Sequence, residues 1–255
     1  VKQIAEIGAK TSWISRRTVI PLPGIHQILF LMIYTLSGVK GGSGRSTIAE
    51  HLAVWLSRQG FDVLFVDADD QETASDFTAW REQTLEGNIG YTLVQLTGNN
   101  LRKQVEQLRP KYDHIVIDTG GRDTTSQRAA LFVCDVALIP FQPRSHDVWT
   151  LTKLTGVLNE IQGSRAEPFK TFCFLNRADL TSVDNRDAAE ALSQDPNLGF
   201  VPLPVVNRKS FPNAASLGLT VFEASSPDPK AIHEIETLFS HIYASIHPAA
   251  PQEAL

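Results

Sequence analysis

The chain has 255 residues, 42% of them hydrophobic and 20% charged, with a formal net charge of -5. Such a length carries one large α/β domain with a substantial core, and the composition is ordinary for a soluble protein. The acidic balance excludes a global attraction to nucleic acid, so any such binding needs a local patch. Cys134 and Cys173 sit among Phe and Val residues and read as buried free thiols rather than a disulfide or a cluster site. The seven histidines show no ligand spacing.

The chain begins at Val1, and its only methionine is Met32. Residues 1–31 are therefore expected to be an extension upstream of a start at Met32, with a disordered or strand-extending arm as the alternative. Ser15-Arg16-Arg17-Thr18-Val19-Ile20 superficially resembles a twin-arginine export signal. Against that, the apolar stretch that follows also feeds the next motif, which cleavage would remove, and it is too short to span a bilayer. Cytoplasmic residence is the expectation.

Ile28 to Leu36 is a short apolar, partly β-branched run, which predicts a buried strand. Lys40-Gly41-Gly42-Ser43-Gly44-Arg45-Ser46-Thr47 follows. Its glycines let consecutive backbone N–H groups turn inward on an anion. Beyond Ser46, Ile48, Leu52, Trp55 and Leu56 recur at helical spacing and Gly60 marks the stop, so a helix N-terminus adds its dipole. Strand, glycine loop and helix are thus in the order that phosphate binding demands. Against G-x-x-x-x-G-K-[ST], Val39 replaces the first glycine and Arg45 the lysine, which leaves an ordinary glycine-rich turn as the competing reading.

Two further apolar runs end in carboxylates. Val63 to Val66 leads into Asp67-Ala68-Asp69-Asp70-Gln71, and His114 to Ile117 leads into Asp118-Thr119-Gly120-Gly121. Acids at the carboxyl ends of parallel strands can face the loop and a metal, although a helix cap or turn is the commoner fate of a lone Asp. Helical periodicity marks Asn100 to Leu108, Val148 to Ile161 and Ile232 to Tyr243. The alternation predicts an α/β fold: a mostly parallel, twisted sheet with helices on both faces. The domain is expected over 32–247, with 248–255 a flexible, Pro-containing tail.

KGGSGRST at 40–47, VLFVDADDQ at 63–71, YDHIVIDTGG at 112–121, DVALIPFQP at 135–143, FLNRAD at 174–179 and VFEASS at 221–226 together resemble the ParA/MinD group of deviant Walker-A P-loop ATPases, above all the short ParA partition ATPases. The resemblance implies that Gly41, Gly42, Ser43, Gly44, Arg45, Ser46 and Thr47 bind ATP, and that Ser46 and Asp118 hold Mg²⁺. It implies that Lys40 reaches a partner's nucleotide in an ATP sandwich homodimer, and that Asp69 orients the attacking water. Asp67 stands behind it, and Asp70 replaces a proline common in the family. Asn176 matches a residue that reads adenine, with an Asn turn as the alternative. A guanidinium at position 45 is planar and wider than an ammonium, and it can hold phosphate oxygens in a bidentate fork. The expectation is that ATP binding survives while turnover is slow or absent.

The resemblance further implies nonspecific DNA binding, nucleoid association and a ParB-like centromere-binding or adaptor partner that stimulates hydrolysis. Arg177, Arg186, Arg208, Lys209 and Lys230 are candidates for a DNA patch, against a scattered solvated surface. A membrane role would call for a basic amphipathic C-terminal segment. Glu234 and Glu236 deny the helix around Ile235 a basic face, so no membrane partner is expected. Three readings follow: a DNA-partitioning ATPase, a nucleotide-dependent switch or scaffold with little hydrolysis, and a conjugative-transfer accessory.

Overall fold

A computed structural model describes residues 31–247 except 39, 122–123, 144–147 and 180, and except the side chains of 148–150. The extension expected over 1–31, apart from residue 31, its twin-arginine motif and the tail over 248–255 lie outside the described residues.

Seven parallel strands form one sheet in the order β3-β2-β4-β1-β5-β6-β7. They are β1 (Met32–Leu36), β2 (Val63–Ala68), β3 (Thr92–Gln95), β4 (His114–Thr119), β5 (Val136–Phe141), β6 (Lys170–Ala178) and β7 (Val205–Val206). Between and after them run α1 (Arg45–Arg58), α2 (Thr73–Thr84), α3 (Asn100–Leu108), α4 (Thr125–Val133), α5 (Val148–Gly163), α6 (Val183–Ser193), α7 (Ser210–Ala215) and α8 (Pro229–Ile246). The fold class expected from the alternation is the one observed. The predicted strands and helices lie within or close to these bounds, and residues 28–30 of the first predicted strand lie outside the described residues.

Successive side chains of β1 divide the core into two layers. Tyr34 and Leu36 pack with Leu52 and Trp55 of α1 and with Leu238 and Phe239 of α8. Ile33 packs on the opposite face with Leu101 of α3, Leu131 of α4, Leu158 of α5 and Leu192 of α6. A sheet covered on both faces explains the near-continuous apolar runs of its central strands. Each fully buried Leu, Ile or Phe contributes about 1.5–3 kcal/mol relative to exposure. Cys134 and Cys173 are free and buried within the second layer. Among the described residues no helix is long and apolar enough to cross a membrane.

Helix α1 stops where the sequence places its glycine. Gly60 adopts φ 89°, its N–H bonds Ser57 O at 2.9 Å, and the next N–H, of Phe61, returns to Leu56 O at 3.4 Å. This paired return satisfies carbonyls that the helix end leaves open.

His51 ties the same helix to the segment before α8. Its Nδ1 lies 2.6 Å from Thr47 O, and its Nε2 accepts the Val221 N–H at 3.1 Å, so Nδ1 carries the proton. Burial pushes this imidazole down from 6.5 to about 4, despite the opposing bond to Thr47. An unfolded His51 takes up its proton near 6.5 and the folded one only near 4. Between those values the unfolded state holds more protons, so this residue's share of stability declines as pH falls from 6.5 and levels off below about 4. The His51→Gln protein is expected to show a shallower fall in Tm than the native chain when both are melted at about pH 7 and about pH 5.

Candidate functional site

The glycine loop leaves β1 at the middle of the sheet, where the chain switches sides between β4 and β5, and enters α1 at the carboxyl rim. Ligands of open parallel sheets gather at such a switch point. Gly42 and Gly44 both adopt φ 85°, a left-handed conformation that strains any residue with a Cβ. Gly44 caps α1 without a side-chain bond, so the first N–H groups of the helix remain open. They face a cavity of about 650 Å³ lined by the loop, Asp69, Gly120 and Arg177. A Cβ at Gly41 or Gly42 would meet nothing within 4 Å, so this stretch of backbone borders open space.

Three side chains hold the loop carbonyls. Arg45 Nη1 donates to Lys40 O at 2.7 Å, Arg177 Nη1 to Gly42 O at 2.9 Å, and Asn176 Nδ2 to Ser43 O at 2.6 Å. In a planar trans peptide the C=O and the following N–H point opposite ways. Holding these three carbonyls therefore directs the amides of Gly41, Ser43 and Gly44 away from the three donors.

Arg45 itself is buried, at 6% exposure. Besides Lys40 O, it reaches Thr119 O through Nε at 3.1 Å and Ser43 Oγ through Nη1 at 3.2 Å. Nη2 has no acceptor among the described residues and lies against Gly121. Two of the three guanidinium nitrogens thus bond the protein. The cause is reach: guanidinium extends past the slot an ammonium occupies, and two glycines give it room. A Cβ on Gly121 would lie 2.7 Å from Nη2 and 2.8 Å from Gly41 Cα, and one on Gly38 would lie 2.9 Å from Nη1. Burial lowers the pKa of Arg45, opposed by Asp118 and Asp69, and a guanidinium stays charged regardless.

Asp118, one residue before the end of β4, is in register with Leu36 of β1 and Asp67 of β2. It is fully buried, and neither oxygen has a hydrogen-bond partner of ordinary geometry. Burial pushes it up to about 7, opposed first by the nearby Ser46 hydroxyl and then by Arg45. Asp67 is satisfied instead: it accepts from Ser75 N at 2.8 Å, Ser75 Oγ at 2.6 Å and Asp69 N at 3.2 Å. It thereby fixes the turn that presents Asp69. Asp69 accepts the Gln71 N–H at 3.1 Å and stands over Gly120, whose Cβ would come within 2.8 Å of Oδ1. Asp70 is exposed on the cavity rim, and Glu72 two residues on takes φ 54°.

Asn176 is buried and borders a second cavity of about 130 Å³, beside Ile48, Val206, Phe211 and Pro212. Lys40 is exposed at the start of the loop, and Thr47 follows Ser46 in the first turn of α1. Among the DNA candidates, Arg177 and Arg208 both line the second cavity. Arg177 lies on the loop, and Arg208 bonds both oxygens of Glu234, at 3.2 and 2.5 Å. Arg186 is 77% exposed at the side chain beside Asp187, and Lys209 is exposed at the start of α7.

Sequence reasoning missed Glu50. It is buried on α1, and burial together with Asp118 and Asp67 pushes its carboxyl well above the usual range. A lone acid inside the apolar run Ile48 to Leu56 was the available signal. The roles of Gly38 and Gly121 depend on contacts with Arg45 that no local pattern announces.

Replacing Gly121 with Ala is expected to lower Tm, at a cost of about 1–3 kcal/mol, because a methyl group there overlaps both Arg45 and the Gly41 backbone. Thermal melts of Gly121→Ala, with Gly60→Ala as a control where the Cβ finds open space but φ is strained, separate the overlap from left-handed strain.

A family model described as ATPase MipZ matches residues 32–164. The maintenance of carboxysome distribution protein A of Halothiobacillus neapolitanus is 23% identical over 211 residues, covering 82% of this chain and 95% of that protein. The structure of apo McdA from Cyanothece superposes with TM-score 0.70 at 19% identity, covering 84% of this chain and all of that one. A putative plasmid partition protein of Borrelia burgdorferi B31 bound to AMPPNP gives TM-score 0.63 at 20% identity, with 84% and 100% coverage. The cell division ATPase MinD of Pyrococcus furiosus gives 0.62 at 18% identity, with 83% and 99% coverage. With the family model spanning more than half of its residues, on a sheet and glycine loop of this geometry, the chain belongs to the MipZ family of ATPases, within the ParA/MinD group of P-loop ATPases.

Proposed function

We propose that this chain binds ATP-Mg²⁺, closes into a face-to-face homodimer over two nucleotides, and uses that cycle to position cargo on nonspecific DNA. The observation that carries the reading is the cavity itself: open backbone amides and the N-terminus of α1 on one side and Asp69 on the other, with Asp118 buried beside Ser46 of the lining. Backbone amides and a helix dipole suit phosphate oxygens. Asp118 and the neighbouring Ser46 hydroxyl suit a hard cation. Among the described residues no group of three or more His, Cys, Asp or Glu is arranged to hold a metal alone, so phosphate oxygens and water would complete its shell. Bound Mg²⁺ supplies neutralisation of charge on the phosphates.

The protein's own groups divide the remaining work. Gly41, Gly42, Ser43, Gly44, Ser46 and Thr47 hold the phosphates, and Nη2 of Arg45 adds a charged donor at the wall. Asp69, held by the turn that Asp67 braces, orients a water for attack. The small cavity beside Asn176 receives the base, with its apolar wall from Phe211 and Pro212. Lys40, exposed ahead of the glycine pair, reaches the second nucleotide of the dimer. An adaptor of the ParB kind is the partner that speeds release.

A second reading is favoured by one observation. Arg45 bonds Lys40 O and Thr119 O, so the cation that usually follows the phosphate through the reaction is tied to backbone. Phosphoryl transfer rests on positioning and charge stabilisation, and a tied cation slows it. The chain then acts as a nucleotide-dependent switch with little turnover.

Steady-state ATP hydrolysis by the native chain and by Arg45→Lys distinguishes the two readings: a rise of about tenfold or more in the lysine variant is expected, and equal rates would remove position 45 as the limit. In parallel, Lys40→Ala is expected to abolish ATP-dependent dimerisation in sedimentation while leaving monomer nucleotide affinity intact. A native chain that stays monomeric and binds no ATP-Mg²⁺ would overturn the proposal. For DNA, Arg186→Ala with Lys209→Ala is expected to lower retention on a DNA column without changing ATP affinity, whereas undiminished retention places the contact elsewhere.

A further inference from the structure

We propose that Arg177 is a phosphate-contacting residue acting within its own subunit, supplying the charge that Arg45 has turned onto the backbone. This rests on the reading of the cavity as a nucleotide site. Arg177 follows Asn176 at the end of β6 with φ 55°, a left-handed conformation that strains a residue with a Cβ. That turn carries its side chain across to the glycine loop, where Nη1 holds Gly42 O at 2.9 Å. Nε and Nη2 have no acceptor among the described residues.

Its position is specific. Arg177 lines both the 650 Å³ cavity and the 130 Å³ cavity, as do Gly44 and Thr47, so the two adjoin at this residue. A nucleotide laid with its phosphates in the first and its base in the second passes its inner phosphates beneath the Arg177 guanidinium. Among the described residues lining the larger cavity, Arg45 and Arg177 are the cations and Asp69 and Asp70 the anions. Arg45 directs Nε and Nη1 to protein oxygens. The free donors of Arg177 are therefore the main mobile positive charge available to a polyphosphate there, and a guanidinium can meet two oxygens at once. The chemical class recognised is a nucleoside di- or triphosphate, with no discrimination between the two by this residue.

Titration of ATP-Mg²⁺ and ADP-Mg²⁺ into the full chain tests it, with native, Arg177→Gln and Arg177→Lys proteins compared. Glutamine keeps an uncharged amide but loses the charge, and it is too short to retain the exposed bond to Gly42 O. It is expected to weaken both nucleotides by about 10- to 100-fold while the ligand-free Tm stays at the native value, and lysine is expected to recover part of the loss. Equal affinities in the native and glutamine proteins would overturn the assignment, and a loss of DNA retention alone would give Arg177 to nucleic acid instead. If lysine fails as completely as glutamine and both lower Tm, the residue is a loop brace and the assignment also falls. Should the native chain bind neither nucleotide, the reading of the cavity falls first and this inference with it.

Discussion

The capture of Lys40 O and Thr119 O by one buried guanidinium joins the loop after β1 to the end of β4. Every other part of the site is arranged around that join. A guanidinium is rigid and planar, so it fixes the distance between the two backbones as well as their attraction. Gly38 and Gly121 exist as glycines because a Cβ on either would enter its volume. On the other side of the loop, β6 contributes Asn176 and Arg177 to the same task, and the loop is held from both flanks. Such a frame favours a pre-formed anion site over one that assembles around its ligand.

Charge burial sets a second constraint. Asp118 and Asp67 both act on the buried Glu50 carboxyl, and Asp67 has its oxygens met by Ser75 and the Asp69 N–H whereas both oxygens of Asp118 lack a bond of ordinary geometry. Burying unmatched carboxyls costs stability, which the two apolar layers of the sheet have to offset. A site held this way is strained toward taking up a cation or protons. Stability conceded at a functional centre is a common pattern among enzymes.

The fold was largely legible because its signals are local. Apolar runs 63–66 and 114–117 announced their strands, Gly60 announced the end of α1, and the acids after two strands announced the carboxyl rim. What stayed hidden depended on tertiary contact. The sequence shows Arg45 as a substitution for lysine, but not that its nitrogens turn to Lys40 O and Thr119 O, since Thr119 arrives from 74 residues away. Arg177 and Arg208 looked like surface cations, since nothing nearby in sequence reveals Gly42 O or Glu234 as their partners. Glu50 was masked by its own helix, whose apolar spacing does not require it.

The register of β4 against β1 and β2 carries a consequence for how this chain can vary. Side chains alternate across a strand, so a slip of one residue exchanges the faces of Asp118 and Thr119. A one-residue deletion within 114–117 would point the carboxylate into the opposite layer and put the Thr119 hydroxyl in its place, and a one-residue insertion would put Ile117 there. The turn between α2 and β3, at the sheet's far edge, bears no such link to the rim. Length changes there disturb the bonds of Arg81 to Ile89 O and of Ser57 to Gly90 O but leave the carboxylates of the rim on their faces, a difference that deletion scanning of the two segments would expose.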